Sequence, residues 1–246
     1  MLRRRFTIVR GGGGSDGPQP NNEIWYTSYE NQVVTPYSST GFNANIVSNT
    51  NKNGKGVIKF DGDVTNIGSY AFKGIRTLYT ISIPNSTTSI DPQAFRQCAL
   101  LRSIVIPDSV TSIGQYGFAE AISLPSIIIP DSVTAIDTYA FYKCTALTNI
   151  TLSNRLTQIR GNTFQGCTSL TEVTIPASVT KIGSTAFNGC SSLSKIVCLP
   201  TTPPSLSSGV FGGISSSAII YVPAGSGAAY KAATNWSDLA SMIVEM

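Results

Sequence analysis

Histidine is absent from this chain of 246 residues, and charged residues make up only 12% of it. Without histidine, the Ser-His-Asp and Cys-His nucleophile systems are excluded. No apolar run approaches the roughly 20 residues that a membrane-spanning helix needs. Hydrophobic residues nevertheless account for 41% of the chain, which is enough to bury a sizeable core. These features predict an ordered protein that does not rely on histidine chemistry.

Basic residues are concentrated at the N-terminus. Lys and Arg number 17 against 13 acids, and four of the basic residues lie in the first ten positions, namely Arg3, Arg4, Arg5 and Arg10. Without these four, bases and acids are equal in number. Phosphate binding needs clustered Lys and Arg on the folded surface, so we expect no nucleic-acid partner.

Residues 1–22 are predicted to form a flexible basic and glycine-rich arm. A secretory signal needs an apolar stretch of about 7 to 15 residues, whereas only Phe6 to Val9 are apolar before Arg10, so no export signal is predicted. Gly11 to Gly14 are typical of a flexible tether and lack the Lys-Ser/Thr that completes a phosphate loop. Two interpretations stay open, a disordered tail or expression remnant and an anchoring arm that inserts into a larger assembly.

A period of 23 residues dominates the rest of the sequence. Starting from Ile67 as position zero, an isoleucine recurs at every step, and four further columns repeat in the same register. Position five is always phenylalanine, at Phe72, Phe95, Phe118, Phe141, Phe164 and Phe187. Position eleven is always leucine, and positions fourteen and sixteen are almost always aliphatic. A fixed period in the twenties indicates coils that must stack on one another to bury their apolar faces.

The repeat predicts the fold class, a solenoid with one short parallel strand per coil. In the spacing Leu-x-x-Ile-x-Ile, alternate side chains point inward. A proline ends the strand at positions 84, 107, 130 and 176, because it offers no N–H to a ladder. Val110 to Ile113 is predicted to be a second short extended segment, and residues 139–144 a helical or 3-10 turn that presents Phe141 to the core.

Imperfect copies extend the array at both ends. A seventh copy follows one inserted residue, with Leu206 and Phe211 in the expected columns, and an incomplete copy places Ile58 and Phe60 in the strand columns. The solenoid is therefore predicted to run over residues 58–223.

The segment "LTEVTIPASVTKIGSTAFNGCSS", residues 170–192, resembles the BspA-type leucine-rich repeat, and this resemblance covers about two thirds of the chain. It implies a leucine-rich-repeat solenoid with an N-terminal cap over residues 23–57 and a C-terminal cap over residues 224–246, because a solenoid needs its terminal apolar faces covered. Ala228, Tyr230, Ala233 and Trp236 are expected to mark a short covering helix in the second cap.

Four cysteines share position eight, at Cys98, Cys144, Cys167 and Cys190. Ile75 and Ala121 occupy this position in the other repeats, which favours buried hydrophobic packing. A zinc site, which usually uses Cys-x-x-Cys spacing, and a disulfide between adjacent coils are the alternatives. Five cysteines without evident pairing are typical of reduced structural thiols.

Asp108 and Asp131 share a further column, with Asn85 and Asn154 nearby. The interpretation we favour is turn chemistry, in which the side chain accepts a backbone N–H two residues on. A calcium ladder and a catalytic carboxylate pair are the alternatives. We expect no enzyme, no metal and no cofactor.

The outward strand positions, thirteen and fifteen of each repeat, are the candidate binding face. They begin with Thr80 and Ser82, and they vary while the inward columns do not. The candidate site residues are Ser103, Val105, Ser126, Ile128, Asn149, Thr151, Glu172, Thr174, Lys195 and Val197. With Tyr221, they predict a mildly apolar, nearly uncharged surface for a protein or glycan partner. The alternative is that these columns drift because nothing constrains them.

A second exposed column contains Tyr70, Tyr116 and Tyr139. These rings are expected either to stack sugars or to pack on neighbouring turns.

Two functional hypotheses follow. Proteins of the family that this chain resembles are mostly bacterial surface proteins implicated in attachment to host proteins or other cells, which implies a non-enzymatic adhesion module at the cell surface. The missing export signal departs from that pattern. The alternative is a structural component of a particle, such as a phage virion protein anchored by its N-terminal arm.

Overall fold

The structure is a computed structural model that describes residues 18–246. Residues 1–17, which make up most of the predicted N-terminal arm, lie outside the described residues. The tethering role of the arm therefore stays a prediction. The described part is a stack of coils between two caps.

The N-terminal cap is an antiparallel sheet joined to the first coil. It contains strands β1 (Glu23–Ser28), β2 (Ile46–Lys52) and β3 (Lys55–Phe60), and a short 3-10 turn at Tyr29–Asn31 follows β1. Strand β3 pairs antiparallel with both β1 and β2. Ile58 and Phe60 are buried in this sheet. Strand β3 runs in the direction of the repeat strands, because β1 is antiparallel to both β3 and β5, and β1 lies between β3 and the first coil. The boundary predicted between residues 57 and 58 falls inside β3.

The repeats supply two strands per coil. The longer strands alternate buried and exposed side chains, because every second residue faces the core. They are β5 (Leu78–Ser82), β7 (Ser103–Val105), β9 (Ser126–Ile128), β11 (Asn149–Thr151), β13 (Glu172–Ile175), β15 (Lys195–Cys198) and β17 (Ile219–Val222). The two-residue strands are β4 (Asn66–Ile67), β6 (Ser89–Ile90), β8 (Ser112–Ile113), β10 (Ala135–Ile136), β12 (Gln158–Ile159), β14 (Lys181–Ile182) and β16 (Ser205–Leu206).

All recorded pairings between repeats are parallel and shift the chain by one coil. Ile81 lies beside Ile104, and Ile150 beside Ile127. Strand β1 pairs antiparallel with β5, so the cap adds its own strands to the same layer. The short strands form a second layer, in which Ile67 lies beside Ile90. The predicted solenoid with parallel strands is confirmed.

The phenylalanines of position five form one continuous stack through the core. Neighbouring rings from Phe72 to Phe211 are parallel within 14°, with centroids 5.2 to 5.6 Å apart. Phe42 of the N-terminal cap contacts Phe72 at one end, and Trp236 contacts Phe211 at the other. The caps therefore cover the ends of the stack with aromatic rings.

The turn that carries each phenylalanine is not helical, contrary to one of our expectations. Tyr139 and Lys143 adopt positive φ angles of 60° and 52°, so residues 139–144 form an irregular turn with two left-handed residues. Phe141 between them is fully buried, as predicted. The same two columns are left-handed in the other coils, at Asn162 and Gly166 for example.

The C-terminal cap contains helix α1 (Gly227–Ala232), a 3-10 helix at Ser237–Met242 and strand β18 (Ile243–Glu245). Tyr230 and Trp236 are fully buried, and their polar atoms donate hydrogen bonds to the carbonyl oxygens of Pro200 and Pro204, each at 2.8 Å. The covering helix is shorter than expected, since it ends at Ala232 and does not reach Trp236. Ala228 lies on this helix, but its side chain is exposed.

Candidate functional site

The longer strands present one outward layer of side chains, which we call the strand face. Its two rows are positions thirteen and fifteen of the repeats. In β7, β9 and β11 the outer residues are exposed and the central isoleucine is buried. The rigid core below therefore fixes the spacing of the exposed side chains above it.

The predicted site residues all lie on the strand face. Nine of the ten are exposed, and Val197 is half-buried. Ile128 and Val105 are the most apolar of the exposed set, with 68% and 44% of their surface accessible. Lys195 Nζ lies 3.3 Å from Glu172 Oε2 on the next strand. Their placement on one surface agrees with the predicted alternation, and their binding role stays a prediction.

Residues of the N-terminal cap extend the strand face, and the repeat pattern did not reveal them. Trp25 lies beside Ser82 on one side and Val57 on the other. Thr27 and Thr80 share a hydrogen bond of 2.7 Å between their hydroxyl oxygens. The signal in the sequence was the alternation of "EIWYTS", but only the register of β1 on β5 shows that Trp25 continues row fifteen.

Opposite charges border the two edges of the strand face. At the edge where the strands begin, Arg102 is exposed and its guanidinium lies 4.6 Å from the centre of the Tyr79 ring. At the edge where the strands end, Asp108 and Asp131 are exposed. The coils of the face therefore carry opposite charges at their two edges, and exposed Lys55 and Lys59 add positive charge where β3 extends the face into the cap.

Asp131 does not form the local turn that we expected. Its carboxylate accepts the backbone N–H of Asn154, one coil further on, at 2.8 Å. The side chain thus links two coils rather than closing its own turn. Between residues 18 and 246, no group of three or more Cys, Asp or Glu side chains is placed to hold a metal ion.

The tyrosine column packs on its neighbours. The rings of Tyr116 and Tyr139 stack with centroids 4.7 Å apart, and Tyr142 contacts Tyr139 edge-on. Arg96 lies 5.1 Å from the Tyr116 ring. Because these contacts occupy the ring faces that a sugar would need, the structure favours the packing interpretation for Tyr116 and Tyr139.

The cysteine column forms a ladder of hydrogen bonds in the core. Each thiol lies 3.0 to 3.2 Å from the carbonyl oxygen of a phenylalanine in the preceding coil; the pairs are Cys98 with Phe72, Cys144 with Phe118, Cys167 with Phe141 and Cys190 with Phe164. All five cysteines are buried and unbridged. Desolvation by burial raises the pKa of Cys144 to about 12 and that of Cys167 well above its usual range. These thiols are structural and protonated at neutral pH.

A shallow cleft of about 530 Å³ lies on the layer of short strands. Lys181 and Arg160 line it, and Arg160 makes an ion pair of 3.0 Å with Asp137. The other lining residues are Thr138, Gln158, Ile159, Gly161, Gly183, Ser184 and Ser207. The lining contains no carboxylate and no thiol, so the cleft offers no general acid or nucleophile of those kinds.

In the part of the chain that the structure describes, no helix combines the length and apolar character that crossing a bilayer requires.

Comparisons with known proteins agree with this architecture. A solved leucine-rich repeat protein of T. pallidum is 30% identical, with a TM-score of 0.53 over 58% of this chain and 68% of that one. A leucine-rich repeat protein of Eubacterium ventriosum is 25% identical, with a TM-score of 0.52 over 61% of this chain. The match spans only 46% of the Eubacterium chain. No curated protein matches.

The family model described as the BspA type leucine rich repeat region matches six copies, over residues 41–141 and 111–226. These two ranges overlap and together span most of the chain, including every coil of the phenylalanine stack. The chain therefore belongs to the BspA-type leucine-rich repeat family.

Proposed function

We propose that this chain is a non-enzymatic binding module that presents its strand face to a partner at a bacterial cell surface, as an adhesion protein does. The family suggests a repeat-based surface or binding protein. The single observation that carries the proposal is the division of the strands, in which a buried row is fixed by packing and the row beside it is exposed and varies from coil to coil.

The composition of the face supports a macromolecular partner. Ile128 and Val105 expose large aliphatic surfaces at neighbouring positions of row fifteen, and Trp25 extends that row into the cap. Exposed apolar side chains bordered by polar ones are typical of interaction sites. Tryptophan, tyrosine and arginine are the residue types that contribute most to protein interfaces, and all three occur at this end of the face, with Trp25 in row fifteen and Tyr79 and Arg102 at the edge where the strands begin.

A binding panel tests the proposal. The purified full chain is applied to immobilised extracellular proteins and glycans, beside the variant Ile128→Glu and the control Ala135→Glu. Ala135 is exposed on the layer of short strands, so the control adds the same charge away from the strand face. We expect binding that Ile128→Glu weakens at least about tenfold, the effect of roughly 1.4 kcal/mol, and that Ala135→Glu preserves. Binding that both variants leave unchanged would contradict the proposal.

A further inference from the structure

Two lysines lie together where the strand face extends into the N-terminal cap. Lys55 begins β3, which runs in the direction of the repeat strands, so it lies at the edge of the face where those strands begin. Lys52 is its cross-strand partner on β2, and both side chains are exposed. Like charges directly opposite each other destabilise a sheet, and within residues 18–246 neither lysine belongs to an ion pair. An anion that bridges the two lysines would remove this repulsion.

Two tyrosines follow along the same edge, between these lysines and the second coil. Tyr29 comes directly after β1, and its backbone N–H donates to the carbonyl oxygen of Thr77, just before β5, at 2.7 Å. The ring of Tyr79 lies at 89° to that of Tyr29, with the centroids 6.2 Å apart. Tyr29 exposes 44% of its surface, so part of its ring is available to a ligand.

Arg102 lies on the other side of the tyrosines. Its backbone N–H donates to the carbonyl oxygen of Tyr79 at 2.8 Å, and its guanidinium lies 4.6 Å from the centre of the Tyr79 ring. In the part of the chain that the structure describes, Arg102 forms no ion pair. A guanidinium held over a ring can still donate paired hydrogen bonds to carboxylates and similar oxyanions.

Positive charge prevails at this end of the face. We call the set of five side chains the basic corner; it consists of Tyr29, Lys52, Lys55, Tyr79 and Arg102. Arg76, in the turn before β5, is a further exposed base, and Glu30 is the acid that borders the corner. Four bases therefore stand against one carboxylate here, whereas bases and acids are nearly equal in number over residues 18–246 as a whole.

The basic corner is extended rather than round. It follows one edge of the sheet across β2, β3, β1, β5 and β7, in that order. At roughly 4.8 Å per strand, Lys52 and Arg102 are about 19 Å apart, with the tyrosines between them. A matching ligand needs anionic groups at separate points along a chain and a surface between them that can pack on an aromatic ring.

We propose that the basic corner binds an anionic polysaccharide, in which carboxylate or sulfate groups are attached to a linear chain of sugar rings. The anionic groups pair with Lys52, Lys55 and Arg102. A sugar ring between them packs on Tyr29, whose side chain has an apolar body and a polar tip. An acidic peptide would supply the charges but no sugar ring for Tyr29. This inference rests on the proposed function, because it names the class of partner for the cap end of the same strand face.

Titration calorimetry of the full chain tests the class of partner. The probes are oligosaccharides of heparin, which has sulfate and carboxylate groups, and of hyaluronate, which has carboxylates alone; neutral dextran and polyglutamate are the comparison ligands. We expect binding in about 0.15 M salt that is lost at about 1 M, because the screening length falls from roughly 8 to 3 Å. Binding of heparin alone would support the proposal with sulfate as the required group, and binding of both would support it with carboxylate as sufficient. No binding of either glycan, or equally tight binding of polyglutamate, would overturn the inference.

Charge-matched variants locate the site. Lys52→Gln with Lys55→Gln removes two charges from the basic corner, whereas Lys143→Gln with Lys181→Gln removes two exposed charges elsewhere. We expect the first pair to weaken glycan binding at least about tenfold, the effect of roughly 1.4 kcal/mol, and the second pair to preserve it. Tyr29→Ala is expected to weaken binding with the number of charges unchanged. Equal losses from the two double variants would overturn the inference, and circular dichroism checks that each variant is folded.

The arginines near the N-terminus need a control of their own, because they also attract polyanions. A variant in which Arg3, Arg4, Arg5 and Arg10 are replaced by glutamine is expected to keep the tenfold difference between the two double variants. A difference that disappears in this background would overturn the inference. If the chain binds a panel protein or a neutral glycan through Ile128 but neither heparin nor hyaluronate, the proposed function holds and this inference fails.

Discussion

Replacing Phe141 by alanine tests the physical basis of the whole fold. Phe141 is fully buried in the middle of the aromatic stack, 5.3 Å from Phe118 and 5.5 Å from Phe164 between ring centroids. A buried phenylalanine replaced by alanine costs about 3 to 5 kcal/mol, and losing parallel neighbours on both sides favours the upper end of that range. We therefore expect a loss of about 4 to 5 kcal/mol. Many domains have only about 5 to 15 kcal/mol in total.

Guanidinium unfolding followed by circular dichroism measures this loss, with Thr151→Ala as the control. Thr151 is exposed on the strand face, so its replacement should change the free energy of unfolding by less than roughly 0.5 kcal/mol. Hydrogen exchange adds a spatial readout, because stability in a solenoid passes between adjacent coils. Amides in the coils of Phe118 and Phe164 should exchange faster than those near Phe72. Similar losses from both substitutions would refute the assignment of inward and outward positions.

Three other features give further predictions. Burial raises the pKa of four of the five thiols to about 12, so Ellman's reagent at neutral pH should label none in the native chain and all five in guanidinium; rapid native labelling would contradict the buried ladder. Gly189 has a φ of 74°, and Gly189→Ala should cost about 1 to 2 kcal/mol in thermal unfolding, whereas no loss would mean that the turn relaxes. The backbone N–H groups of Gly225 and Gly227 donate to Glu245 and lower its pKa. A lowered folded-state pKa gives stability above the ordinary pKa of glutamate that is lost as the pH falls through the lowered value, so acid unfolding of Glu245→Gln should depend less steeply on pH.

Most of the correct predictions came from the columns of the repeat. Phe141 and its equivalents were assigned to the core because the same residue type recurs at every 23rd position, and all of them stack there. The exposed positions Val105 and Ile128 followed from strand alternation alone. Such local periodicities need no knowledge of distant contacts, since each coil repeats the environment of the one before it.

Contacts between segments far apart in the chain could not be predicted from the repeat columns. Ile58 occupies a strand position of the repeat, and β3 runs in the direction of the repeat strands, but β1 lies between β3 and the first coil, which only the pairing of β1 with both strands reveals. Asp131 was expected to close its own turn, whereas its carboxylate bonds to the next coil. The left-handed residues Tyr139 and Lys143 were also missed, although Gly166 and Gly189 in the column of Lys143 carried the signal for one of them.

The sequence by itself determined that the chain is a solenoid, where its coils begin and which side chains point inward, because these follow from a period written into every repeat. The tertiary structure alone decided how the caps join the stack, and thereby that Trp25 continues the row of Val105 and Ile128. It also placed Arg102 and Asp108 at opposite edges of one surface. The physical reason is that strand register across a cap depends on hydrogen bonds between residues far apart in the chain, and no local pattern encodes it.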